Sequence, residues 1–251
     1  MKKNSDTLVL IMAAGYGRRM GPLSVPKVML KTDQGRHYID DAISFIEKHQ
    51  ADFDFAVMSR DEVFFEPLND YLKKRLYKLN VPVPFQKTGS RGHVMAFAFE
   101  YHLNRAFRRF VRKYNSIVVM PADHALTEQD LDLNHLVACH HQQGADATHV
   151  YSRGWGDDTA KKEVIRLLPD GQITSSKQIA ETTYQPAERE HAVTSVGVWA
   201  FNRRRVVNPL RAIPALLSFA LSKTVVKTMS FYSYFIADGW SGGRDTLSSR
   251  V

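Results

Sequence analysis

A short apolar run that breaks into small residues and glycine constrains this chain more than any other feature. Leu8-Val-Leu-Ile-Met12 is followed directly by Ala13-Ala14-Gly15-Tyr-Gly17-Arg18-Arg19-Met20, and Pro26-Lys27 comes shortly after. An unbroken apolar run of this length predicts a strand buried on both faces, the kind found in a parallel sheet covered by helices. The loss of side-chain bulk at Ala13, Ala14 and Gly15 lets backbone come close to a ligand. Glycines at 15 and 17 permit dihedrals closed to other residues, so successive N–H groups can converge on phosphate oxygens. Arg18, Arg19 and Lys27 add positive charge beside them. The stretch reads as a strand opening into a triphosphate cradle.

The following pattern supplies the sheet that such a loop needs. Tyr38 to His49 carries apolar residues at 39, 42, 43 and 46, the stripe of a helix packed on a sheet, and Phe53 to Met58 is a second strand. Val63 to Leu79 reads as a helix stopped by Asn80 and by the prolines at 82 and 84, with a short strand over Pro82 to Phe85. This β-α-β-α-β alternation predicts an α/β fold with a mainly parallel sheet flanked by helices. A helix over Val94 to Leu103 and a basic helix precede a buried strand, Ser116 to Met120, which ends at Pro121-Ala122-Asp123-His124. Later strands are expected at Asp146 to Tyr151, Glu163 to Leu168 and Thr194 to Phe201, with mixed pairing. No repeat or linker divides the chain, so residues 1–251 read as one domain.

In open α/β sheets ligands collect outside the carboxyl ends of strands, where both the glycine loop and Asp123 lie. A carboxylate just past a buried strand does not serve the core. Beside a phosphate cradle it suits Mg²⁺, which takes hard oxygen ligands and neutralises phosphate charge; the alternative is a capping or turn Asp. No further ligands stand at zinc-like spacing from His124, which is read as shaping the loop, and Cys139-His140-His141 is read as the surface of a helix. Gln86, whose amide can both donate to and accept from a base edge, and the backbone at Gly92 are the candidate base contacts.

These motifs resemble, in order along the chain, those of the sugar-1-phosphate nucleotidylyltransferases. Gly15-Tyr-Gly17-Arg18-Arg19-Met20 with Pro26-Lys27 is similar to the family's G-x-G-[ST]-R-[ML] and downstream P-K, with Arg18 in place of Ser or Thr. Val118-Val-Met-Pro-Ala-Asp123-His124 resembles the metal motif of the mannose-1-phosphate guanylyltransferases. The segment from Gln86 to Gly92 resembles the base-recognition segment Gln…Gly-Thr-Ala, with His93-Val94 replacing Thr-Ala. Glu181-Thr182 stands where the family has Glu-Lys-Pro, and Ser195-Val-Gly197 where it has Asn-x-Gly. Gly239-Trp-Ser-Gly242 resembles Gly-Trp-Ser-Asp, with Gly242 at the place of the second metal ligand. Asp238 or Asp245 is left to supply that carboxylate.

The resemblance implies a GT-A, Rossmann-like nucleotidyltransferase fold, with a nucleotide-binding half at 1–145 and a sugar-phosphate-binding half at 146–251. It implies an Mg²⁺-dependent reaction of a nucleoside triphosphate with a sugar 1-phosphate, giving an NDP-sugar and pyrophosphate. Arg19, Lys27 and Asp123 would be catalytic, with Asp123 on the metal. Ala13, Ala14, Gly15, Gly17, Arg18, Gln86 and Gly92 would bind nucleotide, and Glu181, Ser195 and Gly197 the sugar phosphate. The departures at 18, 182, 195 and 242 leave two alternatives open: a regulatory homologue that binds nucleotide without turnover, and an acceptor outside the sugars such as phosphocholine.

Composition narrows the class further. No apolar run approaches the roughly 18 residues of a membrane span. The short apolar run after Lys2-Lys3 lacks a cleavage site, and a single cysteine, Cys139, admits no intramolecular disulfide, so a reducing cytoplasm is expected. The net charge of +8 is densest at Arg105, Arg108, Arg109, Arg112 and Lys113, but Phe107, Phe110 and Val111 fall between these at helical spacing. That is the solvated face of an amphipathic helix rather than a nucleic-acid reader, and its charge is read as steering anionic substrates. A homo-oligomer is compatible with everything in the sequence.

Overall fold

The strand expected at the start of the chain forms as β1, Thr7–Met12, and all six of its residues are buried. Its side chains alternate between two layers, Val9 and Ile11 entering one core cluster and Leu8, Leu10 and Met12 the other. Such a strand needs hydrogen-bonding neighbours on both edges and apolar cover on both faces. β2 (Phe53–Arg60) supplies one edge and itself pairs with β3 (Pro82–Phe85); β4 (Ser116–Pro121) supplies the other, and all these pairings are parallel. The structure is a computed structural model that describes residues 6–13, 23–32, 34–49, 53–60, 65–76, 82–85, 97, 101, 104–124, 126–127, 129–152, 163–167, 173–178, 192–204 and 231–236.

Beyond β4 the pairing becomes mixed, as expected. β8 (Ala192–Asn202) lies antiparallel between β4 and β5 (Ala147–Ser152), and β9 (Phe231–Ile236) is parallel to β5 at the edge. The order is β3-β2-β1-β4-β8-β5-β9, in which β8 alone runs against the rest. β6 (Glu163–Leu167) and β7 (Ile173–Gln178) form a hairpin laid on the first residues of β8. β7 and β9 are additions to the strands that the sequence pattern predicted.

Helices cover both faces. α1 (Tyr38–Lys48) buries Ile39, Ala42, Ile43 and Ile46, the stripe read from sequence, and α2 (Phe65–Leu76) adds Leu68 and Leu72. They share their layer with Leu133 and Leu136 of α4 (Leu133–Gln143), while α3 (Arg105–Val111) covers the other face with Phe107 and Val111. Each of these Ile, Leu, Val and Phe side chains contributes about 1.5–3 kcal/mol when fully buried. Of the helix expected over Val94 to Leu103, Phe97 and Tyr101 are described, both helical and buried. Arg105, Arg109, Arg112 and Lys113 are exposed, as the amphipathic reading requires. No helix among the described residues is long and apolar enough to cross a membrane.

One reading is corrected. His140 is not part of a helix surface: it is 1% exposed and turned onto β5, where its Nδ1 and Thr148 Oγ1 are 2.9 Å apart. The mistake came from the short spacing of three polar residues, since the helix turns by about 100° per residue and Cys139, His140 and His141 therefore face different ways. Burial, with the neighbouring His141 adding to it, lowers the His140 pKa to about 4, so the ring is neutral at pH 7.

Candidate active site

β1 and β4 end side by side, with Met12 opposite Pro121 in the ladder. Ala13 donates its N–H to the Met58 carbonyl at 2.8 Å, and Ala122 donates to the Met12 carbonyl at 3.2 Å, so both chains leave the sheet tied to its edge. Ala13 and Ala122 are buried, and their small side chains bring two backbones close together where the cradle was expected to begin. Asp123 follows at once.

Lys27 arrives from a separate loop. Pro26 holds an extended backbone at φ −52° and ψ 139°, and the chain then closes a single 3-10 turn, Lys27–Met29, with Met29 N–H on the Pro26 carbonyl at 2.8 Å. That turn is clamped to the start of α1. Tyr38 donates its N–H to the Leu30 carbonyl at 3.3 Å, and the His37 ring donates through Nδ1 to the Met29 carbonyl. Asp40 accepts the His37 N–H at 3.2 Å and the Tyr71 hydroxyl at 2.8 Å, so the clamp continues into α2. His37, Asp40 and Tyr71 form a support that the sequence did not reveal, because they act on the backbone of Met29 and not on any motif residue. The His37-x-x-Asp40 spacing at the start of an apolar stripe was the available signal.

The outcome is an ion pair between two residues whose expected roles were separate. Lys27 Nζ lies 2.7 Å from Asp123 Oδ2, with the two side chains 7% and 24% exposed. An ammonium so nearly buried requires a counter-charge, and the carboxylate at the end of β4 provides it.

β8 presses on the same loop. His149 pairs with Trp199 and Tyr151 with Ser195, so two steps along β5 match four along β8, and the excess forms a bulge around Gly197. Gly197 has φ +77°, and a Cβ there would fall 3.0 Å from Pro121 Cγ and 3.4 Å from His124 Cε1. Only glycine both adopts this backbone and leaves room for the Pro121-Ala-Asp-His124 segment. The His124 ring thus packs under β8, in keeping with a loop-shaping role. Behind the bulge the buried His149 stacks on Trp199 at 3.5 Å between ring centroids and shares a 2.7 Å hydrogen bond with the Tyr151 hydroxyl. Burial pushes the His149 imidazole well below its ordinary pKa.

The structure therefore brings together Ala13, Lys27, Asp123 and the backbone of Gly197, and places Ser195 in β8 opposite Tyr151. Ala14, Gly15, Gly17, Arg18, Arg19, Gln86, Gly92, Glu181, Asp238 and Asp245 lie outside the described residues. Among the described residues no group of three or more His, Cys, Asp or Glu side chains is placed to hold a metal ion. Among the described residues Asp123 offers a partly exposed hard oxygen donor at the strand end, and that donor chemistry fits Mg²⁺, which commonly takes one or two carboxylates and keeps water in its remaining positions.

No protein-family model matches the chain. Curated relatives include the bifunctional protein GlmU of Mycobacterium sp. strains KMS and JLS, each 28% identical over 211 residues. The alignment covers 84% of this chain and 39% of the relative, so the chain spans about two fifths of the length of the curated relatives it matches. Among solved structures, a protein from Bacillus anthracis described as a glucose-1-phosphate thymidylyltransferase, in complex with sucrose, is similar at a TM-score of 0.69 and 14% identity. That likeness covers 97% of this chain and 92% of the other, and it shows the fold.

Proposed function

We propose that the chain acts as a sugar-1-phosphate nucleotidylyltransferase, the class its motifs resemble and its relatives support: a nucleoside triphosphate and a sugar 1-phosphate give an NDP-sugar and pyrophosphate. The observation that carries this reading is the Lys27–Asp123 pair, 2.7 Å apart where β1 and β4 leave the sheet. A decayed pocket has no reason to hold a nearly buried ammonium against a carboxylate at that place.

In this reading an oxygen of the sugar phosphate forms a bond to the α-phosphorus as the bond from that phosphorus to the bridging oxygen of the departing pyrophosphate breaks. The protein supplies position and charge, and no covalent enzyme intermediate is needed. Lys27, fixed by the 3-10 turn and the His37 clamp, sets a positive charge beside the reacting phosphates. Ala14, Gly15 and Gly17 would offer backbone N–H groups to the triphosphate and Arg18 its charge, while Ala13, whose own N–H is held by the Met58 carbonyl, would leave room for the ligand. Arg19 stabilises the leaving pyrophosphate. Asp123 would hold Mg²⁺, which when bound neutralises phosphate oxygens and draws charge from the α-phosphorus. Gln86 and the backbone at Gly92 would read the base, and Glu181, Ser195 and Gly197 would meet the sugar phosphate, with residues 1–145 and 146–251 serving as the two halves of one domain. A cytoplasmic setting, where both substrates occur, suits this chemistry.

The test is pyrophosphate release by the purified protein with Mg²⁺, each nucleoside triphosphate in turn, and a panel of phosphorylated sugars with phosphocholine beside them. Release that requires one triphosphate and one sugar phosphate supports the reading. Release with phosphocholine alone moves the acceptor outside the sugars, and nucleotide binding without release across the panel identifies a regulatory homologue.

A further inference from the structure

We infer that α3 carries a second anion site, separate from the strand ends, which takes a compact ligand with two or more linked phosphates: inorganic pyrophosphate or triphosphate, or the phosphate tail of a nucleotide. Arg105, Arg108, Arg109 and Arg112 line a pocket of about 390 Å³. That volume falls within the roughly 300–1,000 Å³ of small-molecule sites, most of which are lined by apolar groups, whereas these four linings are guanidinium.

The convergence follows from helical spacing. Asn104 caps the helix by accepting the Phe107 N–H at 3.0 Å, Phe107 and Val111 are buried, and Arg112 at the far cap keeps a helical backbone at φ −63° and ψ −14°. Positions 105, 108, 109 and 112 therefore share one face, along which the helix rises about 10 Å. Arg105, Arg109 and Arg112 are exposed there. The arrangement works against the helix, because each arginine has another three or four residues away and such like-charge neighbours are destabilising. The first turn holds no acidic residue and starts at Arg105, where the positive end of the helix dipole favours the opposite charge. The crowding continues beyond the helix: burial lowers the Arg203 pKa, and Arg204 and Arg112 add to the lowering. Planar guanidinium forks grip phosphate oxygens two at a time, and a row of this length exceeds what a single phosphate covers. Linked phosphates cover it.

Little of this charge reaches phosphates at the strand ends. Arg112 lies near Arg203, which donates its N–H to the Asn115 carbonyl at 3.0 Å, and the preceding Asn202 pairs with Ser116, so that end of the row stands at the start of β4. Asp123 follows the other end of this six-residue strand, roughly 20 Å away, against a screening length of about 8 Å at physiological ionic strength.

The experiment titrates inorganic triphosphate into the protein by isothermal calorimetry, with a chelator present and at physiological ionic strength. Arg105→Gln, Arg109→Gln and Arg112→Gln combined should remove one binding site without lowering the melting temperature, since like-charge repulsion is relieved. Arg109→Gln alone should weaken that site by about tenfold or more. Arg105→Lys, Arg109→Lys and Arg112→Lys combined, which keep the charge and lose the forks, should weaken it as well. Each nucleoside triphosphate is then titrated in the same way. Tighter binding at this site than inorganic triphosphate assigns it to a nucleotide, and equal or weaker binding assigns it to the phosphate chain itself. Unchanged stoichiometry and affinity in both Gln variants overturn the site, as does undiminished binding in the Lys variant. A single-stranded oligonucleotide that binds this face where triphosphate does not gives the charge to nucleic acid and overturns the compact ligand. Loss of one site is read without turnover, so a protein that releases no pyrophosphate loses the proposed reaction and keeps the α3 site.

Discussion

The two sides of the β4–β8 seam are built on different rules. On one side β1 through β4 are parallel, β1 and β4 are buried along their whole length, and consecutive side chains feed two separate helix-covered layers. On the other, β8 runs against its neighbours, carries a bulge at Gly197 and takes the β6–β7 hairpin on its leading residues. A strand buried on both faces tolerates little change of volume or register, which fixes the position of whatever leaves its carboxyl end. A bulged antiparallel strand can be re-aimed by small changes. The resemblance follows this division. Lys27 and Asp123, read as acting on phosphates, fall to the parallel side, while the departure Ser195 falls to the other.

If the parallel side holds a preformed charged site, its two partners should fail unequally. Asp123→Asn removes the carboxylate that lies 2.7 Å from the nearly buried Lys27 ammonium and is expected to cost about 3 kcal/mol of unfolding free energy. Lys27→Met leaves the more exposed Asp123 and should cost about 1 kcal/mol or less. Urea denaturation of the two variants reads the difference, and equal costs would mean that the pair is not confined from the Lys27 side.

The seam itself is tested by two glycines of nearly the same backbone. Gly35, at φ +75°, turns the loop before α1, and an added Cβ there meets nothing within 4 Å. Gly35→Ala should therefore cost only the backbone strain, about 1 kcal/mol. Gly197→Ala adds a contact at 3.0 Å to Pro121 and should cost about 2 kcal/mol or more, with a fall in turnover because the Asp123 segment must shift. Thermal melts of both variants compare them, and similar costs would show that β8 does not constrain the site.

The smallest expected effect is acid-linked. His140 in α4 and His149 in β5 are buried with lowered pKa values, His140 at about 4, against an ordinary value near 6.5 in the unfolded chain. Above pH 6.5 both states are neutral and nothing changes. As pH falls below 6.5 the unfolded chain takes up protons that the folded chain does not, so stability is lost progressively down to the folded value. His140 alone should remove about 1 kcal/mol between pH 7 and 5.5, with His149 adding in the same direction. Both side chains lean on β5, so hydrogen exchange at pH 5.5 should show β5 and β8 amides losing protection before those of β1 and β4.

The parallel side was the more legible in the sequence, for a physical reason. Unbroken apolar runs such as Leu8–Met12 and helix stripes such as that of Tyr38–Lys48 state their burial directly. β7, Ile173–Gln178, holds Thr-Ser-Ser-Lys at its centre and exists because β6 pairs with it, a long-range cause that local composition does not carry. β9, Phe231–Ile236, had the signal, an aromatic and β-branched run, but no alternation with a neighbouring helix to place it. In the site, residue types and strand ends singled out Lys27 and Asp123 as charged candidates, yet nothing in the sequence put them in contact across 96 positions. The His37 clamp was hidden for the same reason: side chains that hold a backbone leave no motif.

The central claim, that the strand-end pair is the phosphate-handling centre of a nucleotidyl transfer, is tested most directly by comparing Lys27→Ala with the natural protein in pyrophosphate release at saturating substrates. Loss of charge stabilisation in the transition state predicts a fall in kcat of about a hundredfold to a thousandfold, with the fold retained by circular dichroism. Turnover close to that of the natural protein would contradict the account.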